Sequence, residues 1–125
     1  MASLARHVLL ELNGCNRQRL SDLDFLRVTL LAAAREAEAT IVDDSFHTFP
    51  PYGGVSGVVI ILESHISIHT WPEHGYAAVD IFTCGTSVKP ERATGLLIRE
   101  LEPEDSSIVE MERGVLNSLV AHEAT

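Results

Sequence analysis

VSGVVIILESHISIHTWPEHGYAAVDIFTC, residues 55–84, decides the fold. Its three apolar, β-branched runs, 55–62, 65–71 and 76–84, are joined by connections too short for anything except antiparallel pairing, so they read as a meander. A two-residue turn at Leu62-Glu63, the commonest hairpin length, sets Ser56 opposite His69 with both side chains on one face. The second connection, Pro72-Glu73-His74-Gly75, returns Cys84 beside Glu63-Ser64. The stretch therefore sorts its reactive groups into two sets, Ser64 with Cys84 at one end and Ser56 with His69 at the other. Ser64 and His69 are separated by roughly 16 Å of extended chain, so one chain's His69 does not reach its own Ser64. If all four serve one reaction, a second subunit must bring its Ser56 and His69 to the first subunit's Ser64. That arrangement is an isologous dimer with two shared sites.

Outward from the meander, RHVLLEL (6–12) ends in Asn13-Gly14 and reads as a strand leaving into a turn. Ser21 stands at an N-cap position with Asp22 and Asp24 in the first turn, and Leu23, Leu26, Leu30 and Ala33 or Ala34 recur at helical spacing to about Glu38. TIVDDSFHTF (40–49) reads as a strand, and PPYGG (50–54) as a loop. A second helix is expected from Pro90, a favoured first-turn residue, through ERATGLLIREL to Pro103, weakened by Gly95. SSIVEMERG (106–114) reads as a closing strand, with a loose tail after it. The order β-α-β-β-β-β-α-β predicts an α+β, two-layer α/β sandwich, its helices packed on one face of a mostly antiparallel sheet.

With 125 residues and 46% apolar content the chain is long enough for one core, and no repeat or linker divides it, so residues 1–125 read as a single domain. Eighteen acidic side chains against nine basic ones give a net charge of −9. Such a surface repels phosphate backbones and anionic membranes, so nucleic acid is not an expected partner, nor is a membrane. No apolar run approaches the roughly 20 residues of a membrane span, and a soluble, cytoplasmic protein is expected. Cys15 and Cys84 lack C-x-x-C spacing and read as free thiols.

Taken singly, the polar residues of the meander have ordinary explanations. Ser64 after Glu63 suits a turn, Cys84 a small buried hydrophobe, Phe49 and Trp71 core positions, and Glu73 a solvated charge. A serine hydroxyl becomes a nucleophile only when a base or strain activates it, and for Ser64 the nearest electrophile is the Glu63 carbonyl, which makes an N-to-O acyl shift the available reaction. His47, His65, His69 and His74 are potential zinc ligands by type, but strand and loop placement does not make them converge, and no metal is expected.

Taken together, ESHISIHTWPEHGYAAVDIFTCG (63–85), ATIVDDSFHTF (39–49), GVSG (54–57) and RHVLLELNGC (6–15) resemble the small prokaryotic S-adenosylmethionine decarboxylase proenzymes, closely over about residues 6 to 85 and weakly beyond. PPYGGVSG carries one more glycine than the PxGVSG of that family. The resemblance implies cleavage between Glu63 and Ser64, giving a β chain of 1–63 and an α chain of 64–125 whose first residue becomes a covalent pyruvoyl group derived from Ser64. It assigns Ser56 to stabilising the intermediate of self-cleavage, His69 to proton abstraction in the elimination, and Cys84 to proton donation in decarboxylation with a further part in processing. It implies a Schiff base between the pyruvoyl carbonyl and S-adenosylmethionine, with Phe49 and Trp71 lining the adenine and methionyl sites and Glu73 binding ribose hydroxyls. The product is the aminopropyl donor for spermidine, and the assembly a homodimer of αβ protomers with shared active sites. Two other readings stay open: a pyruvoyl-dependent arginine or ornithine decarboxylase of the same fold, against which the purine-binding positions speak, and a non-catalytic α+β binding module that never cuts itself.

Overall fold

Alternation along the strands explains the layers. In the computed structural model, which describes residues 2–116, strands β3 (Gly54–Ile61), β4 (Ser64–Trp71) and β5 (Tyr76–Cys84) bury every second residue. Val55, Val59 and Ile61, then Ile66 and Ile68, then Val79 and Ile81 all point to one side, as the two-residue period of a strand requires. Strands β1 (Ala2–Asn13), β2 (Ile41–Phe49) and β6 (Asp105–Leu116) complete a six-stranded sheet in the order β2-β3-β4-β5-β1-β6, with every neighbouring pair antiparallel. Helices α2 (Leu23–Glu36) and α3 (Pro90–Leu101) cover its apolar side. Leu26, Leu30, Ala33 and Ala34 of α2 and Ala93, Leu97 and Leu101 of α3 are buried there at helical spacing, each leucine contributing about 1.5–3 kcal/mol. This is the expected two-layer α+β sandwich, and among the described residues its other sheet face carries no helix.

Both meander registers hold. Ser56 pairs with His69 and Ile61 with Ser64 across the Leu62-Glu63 turn, and His65 pairs with Phe82 across a single 3-10 turn at Pro72–His74. Nor does the additional glycine displace Phe49 from Ser56's neighbourhood. Phe49 pairs with Gly54 and His47 with Ser56 without a bulge between them, and Gly53, at φ +75°, closes the turn by donating to the Phe49 carbonyl.

Three boundaries differ from expectation. A one-turn helix, α1 (Arg17–Leu20), precedes α2 and is capped by Asn16, whose Oδ1 accepts from the Arg19 N–H. Ser21 consequently ends α1, its hydroxyl donating to the Gln18 carbonyl, and the cap of α2 is Asp22, whose carboxylate accepts from the Phe25 N–H. β1 and β6 are longer than the runs 6–12 and 106–114 because they pair with each other from Ala2–Leu116 to Asn13–Asp105. The loose tail expected after β6 lies outside the described residues. No described helix is long and apolar enough to cross a membrane.

The second glycine of GVSG has a steric cause. A Cβ on Gly57 would lie 2.0 Å from the Phe46 ring, which packs across the β2–β3 ladder. Gly57→Ala should therefore lower stability by about 1–3 kcal/mol, read as a lower urea midpoint at unchanged slope; an unchanged midpoint would show that Phe46 yields without cost.

Candidate active site

The Leu62-Glu63 turn is gripped by the end of β5. The Cys84 N–H donates to Ser64 Oγ at 2.9 Å, and Cys84 Sγ donates to the Glu63 carbonyl at the same distance. Glu63 sits at φ +58°, a left-handed conformation unfavourable for a residue with a Cβ. One cysteine thus holds both reactants of an acyl shift, polarising the carbonyl and fixing the hydroxyl beside it, at a peptide whose upstream residue is strained. Ser64 is 9% exposed, and a cavity of about 270 Å³ lined by Leu62, Glu63, Cys84, Glu38, Thr40 and Ser87 opens next to it.

Ser56 and His69 lie at the far end of the same hairpin. Their Oγ and Nδ1 are 2.8 Å apart. Alternation gives Ser64 the same side as buried Ile66 and Ile68, whereas His69 belongs to the helix-free side. In one chain Ser64 and His69 are separated by both strand length and sheet face.

Beside Ser56 and His69 is a cavity of about 240 Å³, walled by Phe49, Tyr52, Trp71 and Glu73 and floored by Thr70. Phe49 and Trp71 are 50% and 40% exposed, so the core reading of these aromatics fails. The solvated reading of Glu73 fails as well: its Oε1 is buried with no protein hydrogen-bond partner. A buried carboxylate oxygen without a donor is costly, and a ligand hydroxyl would relieve it. Thr70 is satisfied, accepting from the Val55 N–H and donating to the Leu20 carbonyl, which ties the cavity floor to α1.

The structure brings together Glu63, Ser64 and Cys84 as one group and Ser56, His69, Phe49, Trp71 and Glu73 as another. Of the other candidate histidines, His47 Nε2 lies 3.0 Å from Ser45 Oγ, His65 stacks on Phe82 with centroids 5.5 Å apart, and His74 is exposed at the end of the 3-10 turn. Among the described residues no three His, Cys, Asp or Glu side chains gather as metal ligands. Sequence reasoning missed Tyr76, which stacks on Trp71, and Tyr52 on the cavity wall. Tyr76 was recoverable, because a four-residue connection makes Trp71 and Tyr76 cross-strand partners.

The profile of the family described as S-adenosylmethionine decarboxylase matches residues 6–114, well past the stretch of closest resemblance. A Thermodesulfovibrio yellowstonii protein named S-adenosylmethionine decarboxylase proenzyme is 50% identical over 117 residues, covering 94% of this chain and 86% of its own. A Thermotoga maritima protein of the same name is 49% identical over 114 residues, covering 91% and 87%. The crystal structure of the adenosylmethionine decarboxylase from Aquifex aeolicus superposes with a TM-score of 0.87 at 36% identity, covering 94% of this chain and 97% of that one.

The two thiols differ in environment. Burial pushes the Cys15 thiol up to about 11, so at neutral pH it stays protonated and enclosed, while Cys84 is partly accessible. A thiolate is the form that alkylates. Iodoacetamide at pH 7.5 on the native protein should modify Cys84 and spare Cys15, with both modified in denaturant. Native labelling of Cys15, located by peptide mass spectrometry, would contradict its burial.

Proposed function

Because the chain belongs to the S-adenosylmethionine decarboxylase family, we propose that it is made as a single-domain proenzyme, cuts itself between Glu63 and Ser64, and decarboxylates S-adenosylmethionine as an αβ homodimer. The observation that carries this reading is the double hold of Cys84 on the Glu63-Ser64 peptide.

In maturation Ser64 Oγ attacks the Glu63 carbonyl carbon. Negative charge develops on the oxygen that the Cys84 S–H already touches, and a donor in place before the charge appears needs no reorganisation. The C–N bond breaks, its nitrogen gains a proton, and an ester joins Glu63 to the Ser64 oxygen. His69 of the partner subunit then takes the Ser64 α-proton, the Cβ–O bond breaks, and the Glu63 carboxylate leaves with the β chain. Water and loss of ammonia complete the conversion of residue 64 to a ketoacyl end. The 2.8 Å contact between Ser56 and His69 serves both residues at once. With the proton on Nδ1 donated to Ser56 Oγ, the Ser56 hydroxyl is free to donate to the oxyanion and Nε2 is free to act as base.

The buried strand end and adjoining cavity suit a small ketoacyl group at position 64. Pyruvoyl supplies a carbonyl conjugated to an amide, which accepts the electron pair released as carbon dioxide departs. Around it, Cys84 is the proton donor. Phe49 and Trp71 offer faces to the purine and the sulfonium, and the unpartnered Glu73 Oε1 accepts from ribose hydroxyls. Dimerisation through the helix-free face is supported by the separation of the two residue sets within one chain. It is supported too by the exposed Ile60, Val109 and Met111, which lie on that face by register with Ser56, Leu9 and His7.

Denaturing mass spectrometry of the purified protein should show two fragments, 1–63 and 64–125, the second with a blocked amino end; a persistent full-length species would sink the proposal. Ser64→Ala should abolish cleavage. Mixed with His69→Ala subunits, it should restore cutting of the His69→Ala chain, which neither variant shows alone, and failure in demonstrably mixed dimers would place both residues in one subunit. Labelled S-adenosylmethionine, and not arginine or ornithine, should release carbon dioxide.

A further inference from the structure

The segment Glu11–Arg17, ELNGCNR, has no part in the chemistry above, yet it touches the Trp71–Tyr76 connection at three points. The Tyr76 hydroxyl donates to the Glu11 carboxylate. The Cys15 N–H donates to the Gly75 carbonyl at 2.9 Å, and Arg17 Nη1 donates to the Glu73 carbonyl at 3.2 Å. Gly75 holds φ +61°, and a Cβ there would come within 3.6 Å of Gly14 Cα, so the two segments lie against each other. Tyr76 in turn stacks on Trp71, ring centroids 5.2 Å apart and planes 30° apart. One face of the indole is therefore occupied by Tyr76, while Trp71 stays 40% exposed and lines the cavity.

We propose that Glu11 and Arg17 are positioning residues for the nucleoside slot: acting through Tyr76 and through the Glu73 carbonyl, they fix the plane of Trp71 and the place of the Glu73 carboxylate. This rests on the reading of the slot given above. The physical reason is preorganisation. An exposed indole on a strand end and a carboxylate on a single 3-10 turn would otherwise lose rotamer and loop freedom on binding, and anchoring them beforehand removes that cost. Tyr76 is suited to the anchor because burial first, and the Glu11 carboxylate second, push its phenol up to about 12, which keeps the donor protonated through the working range. The bracket is also specific in place, since it engages the connection at Glu73, Gly75 and Tyr76 and no catalytic group.

Trp71 is the chain's only tryptophan, so its fluorescence reports the slot directly. Titrating the full-chain protein with adenosine, excited at the red edge of the indole band, should quench the wild type. Glu11→Ala and Arg17→Met should weaken the apparent Kd about fivefold and raise KM by a similar factor with kcat within about twofold. Arg17→Lys should recover much of the affinity, and Tyr76→Phe, which deletes only the hydroxyl, should fall between wild type and Tyr76→Leu. Wild-type affinity in folded Glu11→Ala and Arg17→Met, or a loss in kcat with KM unchanged, would overturn the role; if Glu11→Ala does not fold, Tyr76→Phe carries the same test. Absence of quenching in the wild type would remove the slot itself, and with it this role, whereas quenching without turnover would leave the bracket standing and count against the decarboxylase reading.

Discussion

The contact on which the proposed self-cleavage depends is the seating of Cys84 against the Leu62-Glu63 turn. It exists only because two ladders, β3 with β4 and β4 with β5, are both in register. A strand slipped by one residue turns every side chain to the opposite face, so a single slip would withdraw the thiol from the Glu63 carbonyl and bury polar groups among the isoleucines. Core and site are therefore specified by the same pairing. The apolar alternation that buries Ile66, Ile68, Val79 and Ile81 also brings Cys84 to Ser64. Within the turn, Glu63 stores strain in a position that would ordinarily be filled with glycine.

Much of this was legible in the sequence because it is local. Short connections leave a meander no alternative, so counting across Leu62-Glu63 and Pro72-Gly75 was enough to pair Ser56 with His69 and Cys84 with the turn. Pro90 at the start of α3 and the leucine spacing of α2 were readable for the same reason. α1 was not, because four residues carry no periodicity and its only signal is Asn16. Nor was the choice between Ser21 and Asp22 as a cap, which depends on whether a helix already ends there.

What escaped the sequence was the placement of β1. It inserts between β5 and β6, a neighbourhood fixed by packing over distances of tens of residues, and Glu11 meets Tyr76 only through that insertion. The environments of Glu73, Phe49 and Trp71 were hidden likewise. Their types suggested solvent and core, and it took the fold to show a carboxylate oxygen shut away from donors and two aromatics left in the open.

The sheet order has a mechanical consequence for a chain severed after Glu63. The upstream piece owns β1, β2 and β3, the downstream piece β4, β5 and β6, and across the sheet they alternate as two, two, one and one. Three seams of backbone hydrogen bonds, β3 to β4, β5 to β1 and β1 to β6, then stitch one polypeptide to the other. Scission would create a new terminus without releasing either piece, leaving a nicked but undivided body whose separation would require unfolding both.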